Sequence, residues 1–156
     1  MWPMSTNLYL QAEKVYNQLK LIEHDLSHFL NDKSVSYILT EEDDLDREYI
    51  QSVVKHFRYL EVYCMEGKHA LERLIATEDI QEEVLEKVLQ GVYLKCVNGF
   101  FSPKDDIWHE DSRASYRNKM SIDFQYEPGS HIVDLTEIVE PVFQDLREQL
   151  DYLEAV

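Results

Sequence analysis

The chain has 156 residues, of which 15 are basic and 31 acidic, and its formal net charge is −16. Such a charge repels phosphate groups, so nucleic acids and anionic membranes are not expected partners. Two cysteines are too few for a disulfide framework, and no apolar run is long enough to span a bilayer. Residues 1–6 lack the charged and apolar regions of a signal peptide, so the cytoplasm is the expected location.

Two long amphipathic helices are predicted in the first half of the chain. In both, apolar residues recur at spacings of three and four, which is the period of a helix with one buried face. We call the row of apolar residues along one face of a helix its seam. The first seam consists of Leu8, Ala12, Val15, Leu19, Ile22, Leu26 and Phe29. The second consists of Ile50, Val53, Phe57, Leu60, Cys64, Gly67, Leu71 and Leu74.

The segment between these helices is predicted to be extended over residues 35–39, where apolar and polar residues alternate. Thr40 is the expected N-cap of the second helix, which would then cover residues 41–75. Glycine is unfavourable inside a helix, so Gly67 on the seam predicts a close crossing with a neighbouring helix.

A third helix is predicted at residues 79–97, ending at Asn98 and Gly99, which are good helix-stop residues. The last helix carries a seam of Leu135, Val139, Val142, Leu146, Leu150 and Leu153. Pro141 lies inside that pattern, so it should either kink this helix or mark its first turn.

Residues 100–131 differ from the rest of the chain. Met120, Ile122, Phe124 and Tyr126 alternate with polar residues, which predicts a half-buried strand. Its partner is expected at residues 107–110 or 114–117. The sequence therefore predicts a mainly α protein of one domain, residues 1–156. Its fold would be an up-down bundle of about four helices, with a small β-containing excursion between the third and fourth.

Two pairs of residues in the predicted helices have the spacing of metal ligands. His24 and His28 have metal-ligand spacing, and Glu66 with His69 forms one Glu-x-x-His motif, but both pairs lie off the apolar seams. The sequence therefore predicts no metal and no other cofactor. Residues 109–112 read His-Glu-Asp-Ser, yet consecutive side chains point in different directions and do not easily form a relay. No catalytic residue is assigned.

The excursion carries the candidate binding residues. Basic side chains there are expected to converge on an anion or an acidic group, and aromatic side chains to line a pocket or a protein interface. These candidates are Lys104, Trp108, His109, Glu110, Asp111, Arg113, Tyr116 and Arg117. An alternative is that Arg113 and Arg117 pair with the carboxylates of the bundle and fasten the excursion to it.

The run FFSPKDDIWHEDSRASY at positions 100–116 resembles the YpuI-like family, a set of small uncharacterised proteins from Bacillus-type bacteria. The following residues 120–124 and the acidic last helix are also similar to that family. The resemblance implies a bacterial cytoplasmic protein and implies no activity.

The leading functional hypothesis is a non-catalytic protein that binds a partner protein or a small anion through residues 100–120. The first alternative is an enzyme or anion-binding protein with a pocket at residues 104–119. His109, Glu110 or Asp111 would act there as acid or base, and Arg113 or Arg117 as anion clamp. The second alternative is a metal-binding bundle. The sequence assigns no oligomeric state.

Overall fold

The computed structural model describes residues 2–77, 79, 81–111 and 120–155. The first helix, α1, spans Trp2–Asp32, so it begins earlier and ends later than the predicted seam. Every residue of that seam, from Leu8 to Phe29, is buried. The period of the apolar residues therefore identified the face of α1 that packs against the rest of the bundle.

The connection after α1 is helical, and the predicted extended segment at residues 35–39 is wrong. Val35–Glu41 form a short helix, α2, which begins after Ser34. The hydroxyl of Ser34 accepts a hydrogen bond from the backbone N–H of Tyr37 at 3.0 Å. This N-cap satisfies one of the free donors of the first turn and so favours a helix over a strand.

The second long helix, α3, spans Arg47–Ile75, and its N-cap is Asp46. The Asp46 carboxylate accepts a hydrogen bond from the Tyr49 N–H at 2.9 Å. The predicted start after Thr40 is wrong, because Thr40 belongs to α2. The residues of the α3 seam from Ile50 to Leu71 are nevertheless buried as predicted, except Gly67, which is partly buried.

The close crossing predicted at Gly67 is confirmed. A Cβ atom at this position would lie 3.0 Å from Cγ2 of Val92 and 3.2 Å from Cδ1 of Leu19. Any larger side chain would push two core residues away. Gly67 therefore lets α3 approach both α1 and the third long helical segment.

That third segment comprises α4 at Glu82–Val92, a π-helical turn at Tyr93–Val97, and α5 at Asn98–Phe101. The predicted helix end at Asn98 and Gly99 is wrong. Phe100 and Phe101 are both buried, and the burial of two aromatic rings offsets the weak helix propensity of the residues before them.

A 3₁₀ turn at Lys104–Asp106 leads into a two-stranded antiparallel sheet, β1 at Trp108–Glu110 and β2 at Ile122–Phe124. In this hairpin His109 faces Asp123 across the strands. The predicted strand and the first of its two expected partners are confirmed.

The last long helix, α6, spans Ser130–Leu150. The Glu42 carboxylate accepts hydrogen bonds from the backbone N–H and the hydroxyl of Ser130, both at 2.7 Å. These hydrogen bonds lower the pKa of Glu42. Pro141 lies inside α6, so it does not mark the first turn.

The long helices pack as the predicted bundle. Helix α1 lies between α3 and α6, α4 packs on α3, and the π-helical turn packs against α6. One continuous cluster of apolar side chains fills the space between them and includes both cysteines. No helix in the described part of the chain is long and apolar enough to cross a membrane.

Candidate functional site

The hairpin is joined to α6 by an ion pair between Glu110 and Arg147. Two parallel hydrogen bonds, of 2.8 and 2.7 Å, connect the guanidinium to the two carboxylate oxygens. The guanidinium carbon also lies 3.8 Å from the centre of the Phe101 ring. Hydrogen bonding to Glu110 raises the pKa of Arg147. The arginine is thus held in a fixed orientation by a charged partner and an aromatic face.

A second contact between the hairpin and α6 is made by Glu140, whose side chain is buried with 1% exposure. Its Oε2 atom accepts hydrogen bonds from the Ser121 N–H at 2.9 Å, the Ser121 hydroxyl at 2.7 Å and the Gln144 amide at 2.6 Å. Its Oε1 atom is buried and has no hydrogen-bond partner among the described residues. One oxygen is therefore saturated, while the other can accept a further donor.

These two contacts hold both ends of the segment that joins the strands. Glu110 lies just before that segment and Ser121 just after it. The backbone N–H of Asp111 also donates to the Ser121 carbonyl at 2.6 Å. Helix α6 therefore holds Glu110 and Ser121, the ends of the two described strand segments, in fixed positions. We call Glu110, Ser121, Glu140, Gln144 and Arg147 the anchor cluster.

The predicted site residues occupy different environments. Lys104 lies exposed in the 3₁₀ turn, and His109 is 65% exposed on the outer face of the hairpin. The Nε2 atom of His109 lies 3.3 Å from a carboxylate oxygen of Asp123. Glu110 and Asp111 lie at the junction with α6. Arg113, Tyr116 and Arg117 lie outside the described residues.

Trp108 lies in the core, where it is 1% exposed, instead of at the surface expected for a pocket or interface residue. Its indole N–H donates to the Phe100 carbonyl at 2.6 Å, so the polar atom is satisfied without water. The ring packs against Phe57, Phe100 and Phe124. Alternation in β1 explains this position, because Trp108 and Glu110 share the inner face while His109 points outward.

Arg147 and Glu140 were missed by sequence reasoning. Arg147 is the one basic residue among the last 25, which contain seven acidic residues, and that isolation was a signal for a charged partner. Glu140 lies beside the apolar seam of α6, immediately after Val139. Its burial is tolerable because Gln144 on the same helix and Ser121, 19 residues earlier in the chain, donate hydrogen bonds to it.

The residues considered for metal binding lie on the outside of the bundle. His24, His28, Glu66 and His69 are all exposed. The rings of His24 and His28 stack with their centres 6.4 Å apart. Within the described ranges, no group of three or more histidine, cysteine, aspartate or glutamate side chains could hold a metal ion.

Comparisons with known proteins confirm the resemblance to the YpuI-like family. Residues 12–156 match the profile of a family described as "Protein of unknown function (DUF3907)". The chain belongs to this family. It is also 32% identical over 145 residues to the uncharacterised protein YpuI of Bacillus subtilis strain 168, covering 93% of this chain and 80% of YpuI. No solved structure shows significant similarity to this chain.

Proposed function

We propose that this family member is a non-catalytic cytoplasmic binding protein of one domain, and that the region around residues 100–120 recognises an anionic group. The anionic group is either part of a partner protein or a free small anion. The observation that carries the proposal is the anchor cluster. It holds Glu110 and Ser121, which flank residues 112–119 in the sequence, against α6, while His109 on the outer face of the hairpin is exposed.

The charge of this region supports an anionic target. Residues 112–119 contain three basic residues, Arg113, Arg117 and Lys119, and no acidic residue, in a chain of net charge −16. Lys104 and His109 are exposed on the described part of the same region. Local positive charge on an acidic protein attracts anionic groups to one place and repels them elsewhere.

The pairing of the acidic side chains favours binding over catalysis. Both oxygens of Glu110 are occupied by Arg147, and His109 lies exposed beside Asp123. A general acid or base needs a carboxyl or imidazole group within reach of a bound substrate. Glu110 instead serves to anchor the hairpin, as does the buried Glu140.

Photo-crosslinking tests the proposal for a protein partner. A photoreactive phenylalanine analogue at position 104 or 109 should capture a partner in the native cell. The same analogue at position 10, an exposed leucine on α1, should not. Introducing Arg113→Glu and Arg117→Glu together should abolish capture. The control Lys14→Glu with Lys87→Glu changes the charge equally, at exposed positions on α1 and α4, and should preserve it.

A thermal melt with added inorganic phosphate or citrate tests the small-anion version. Binding to the folded state raises the melting temperature, and the increase should disappear in the Arg113→Glu/Arg117→Glu variant while it persists in the lysine control. The proposal is contradicted if the arginine and lysine variants behave alike in both experiments.

A further inference from the structure

The two cysteines meet between α3 and the π-helical turn. Cys64 and Cys96 are both free thiols, with exposures of 0% and 1%. The neighbouring side chain of Cys96, together with burial, raises the pKa of Cys64 well above its ordinary value. The two residues are separated by 31 residues of sequence, so the fold itself brings their side chains into the same part of the core.

The local backbone explains the contact. Gly67 lies one turn after Cys64, and the lack of a side chain there lets α3 approach Val92 closely. The next residues, Tyr93–Val97, form the π-helical turn that carries Cys96. A π-helical turn inserts one residue into a helix, which changes the direction of the following side chains, and such turns are frequent at functional sites.

A surface groove is lined in part by one of the two cysteines. It lies between α3 and α4, has a volume of about 190 Å³, and includes Cys96 in its lining together with Gly67, Ala70 and Gly91. Three of these residues have a small side chain or none, which is why the helices leave space here. Cys64 does not line the groove, so a small molecule entering it meets Cys96 first.

We infer that Cys64 and Cys96 form a redox pair, which a hydroperoxide entering the groove oxidises to a disulfide that joins α3 to the π-helical turn. This inference is independent of the proposed anion-binding function, because it uses neither the hairpin nor the anchor cluster. The groove gives a path toward Cys96, whereas a cysteine with no path from the surface is inert.

Oxidation of the two thiols to a disulfide proceeds in two steps. The Cys96 thiolate attacks the terminal oxygen of the hydroperoxide, the O–O bond breaks, an alcohol leaves after taking up a proton, and Cys96 becomes a sulfenic acid. The Cys64 sulfur then attacks the Cys96 sulfur, and its proton leaves with the hydroxyl group as water. Two thiols lose two electrons in total, and the peroxide bond gains them. A dithiol reductant reverses the change and is itself oxidised to a disulfide.

Intact mass spectrometry of the folded full-length chain tests this inference. Treatment with tert-butyl hydroperoxide should give a species lighter by two hydrogens. Peptide mapping should join the peptides that contain Cys64 and Cys96, and dithiothreitol should restore the original mass. Oxidation of the folded protein to sulfinic or sulfonic acid without a joined peptide would overturn the inference, as would complete resistance to the peroxide.

Three variants assign the roles of the two thiols and of the groove. Cys64→Ser should stop at a Cys96 sulfenic acid that a 1,3-dione reagent traps, whereas Cys96→Ser should not react. Gly91→Leu should slow oxidation several-fold because its side chain enters the groove, where a Cβ atom meets no other atom within 4 Å. Equal oxidation rates in Gly91→Leu and the parent protein, with equal helicity by circular dichroism, would show that the groove is not the route.

Discussion

The α1–α3 interface and the hairpin–α6 junction are held together in different ways. Between α1 and α3 the contact is a long apolar seam, and its polar links, such as Lys68 to Glu23 at 2.6 Å, lie at the edge. The hairpin–α6 junction instead depends on a buried glutamate and a paired arginine. An apolar seam tolerates small shifts, whereas hydrogen bonds to Glu140 and Arg147 require particular positions. The bundle thus supplies stability, and the anchor cluster supplies the placement of one segment.

The largest expected effect concerns whether the hairpin belongs to the core. Trp108→Ala should lower the free energy of unfolding by about 3–5 kcal/mol, because it removes a buried ring that packs against three phenylalanines. Ile138→Ala is the control, since Ile138 is 55% exposed on α6 and should change stability by about 0.5 kcal/mol or less. Chemical denaturation measures both. Equal losses would mean that the hairpin is an appendage of the bundle.

The next effect concerns the buried carboxylate. Glu140→Ala should lower the free energy of unfolding by about 3 kcal/mol. The reason is that the Ser121 N–H, the Ser121 hydroxyl and the Gln144 amide lose their acceptor inside the protein. Glu140→Gln retains one oxygen in that position and should cost less. Glu137→Ala, at an exposed position on the same helix, is the matched control. A Glu140→Ala variant as stable as this control would show that the three hydrogen bonds contribute little.

A double-mutant cycle measures the ion pair. Arg147→Met and Glu110→Gln, alone and together, should give a coupling energy of about 1–2 kcal/mol. The side chains are 29% and 22% exposed, so the value should lie between those of exposed and fully buried pairs. The same cycle on Lys68 and Glu23 gives the coupling energy of an ion pair at the edge of the α1–α3 interface, for comparison. A coupling near zero at Arg147 would show that Glu140 alone holds the junction.

The smallest expected effect is on the pH dependence of stability, and it comes from His56. Desolvation lowers the pKa of His56, whose Nε2–H donates to the Gly99 carbonyl at 2.7 Å. The unfolded chain therefore binds a proton more readily than the folded one. The neutral His56 imidazole therefore contributes its full stabilisation above the pKa of the unfolded chain, about 6.5. That stabilisation is lost as the pH falls through the lower pKa of the folded protein. His56→Gln should reduce the difference in melting temperature between pH 7.5 and pH 5.5. An unchanged difference would contradict the assignment.

The two regions also differ in how much of them the sequence predicted. All seven residues of the α1 seam and six of the eight in the α3 seam are buried, because burial repeats with the period of the helix itself. The strand containing Ile122 and Phe124 followed from alternation in the same way. Local signals were less reliable where tertiary packing decides the outcome. The helix continues past Gly99 because two phenylalanines enter the core.

The anchor cluster was not predicted, for a physical reason. Glu140 and Ser121 are 19 residues apart, and Arg147 and Glu110 are 37 apart. No local periodicity connects such pairs, and their energies depend on geometry that only the folded chain provides. Among the candidate residues at positions 104–111, Trp108 belongs to the core and Glu110 to the junction with α6.

Amide hydrogen exchange followed by NMR tests most directly the central claim that α6 holds Glu110 and Ser121 of the hairpin in place. In the parent protein the backbone N–H groups of Asp111 and Ser121 should be protected, since both are hydrogen-bonded. In Glu140→Ala both should exchange faster by at least tenfold, which corresponds to about 1.4 kcal/mol, while the amides in the middle of α1 and α3 keep their relative protection. Unchanged exchange at Asp111 and Ser121 in that variant would contradict the claim.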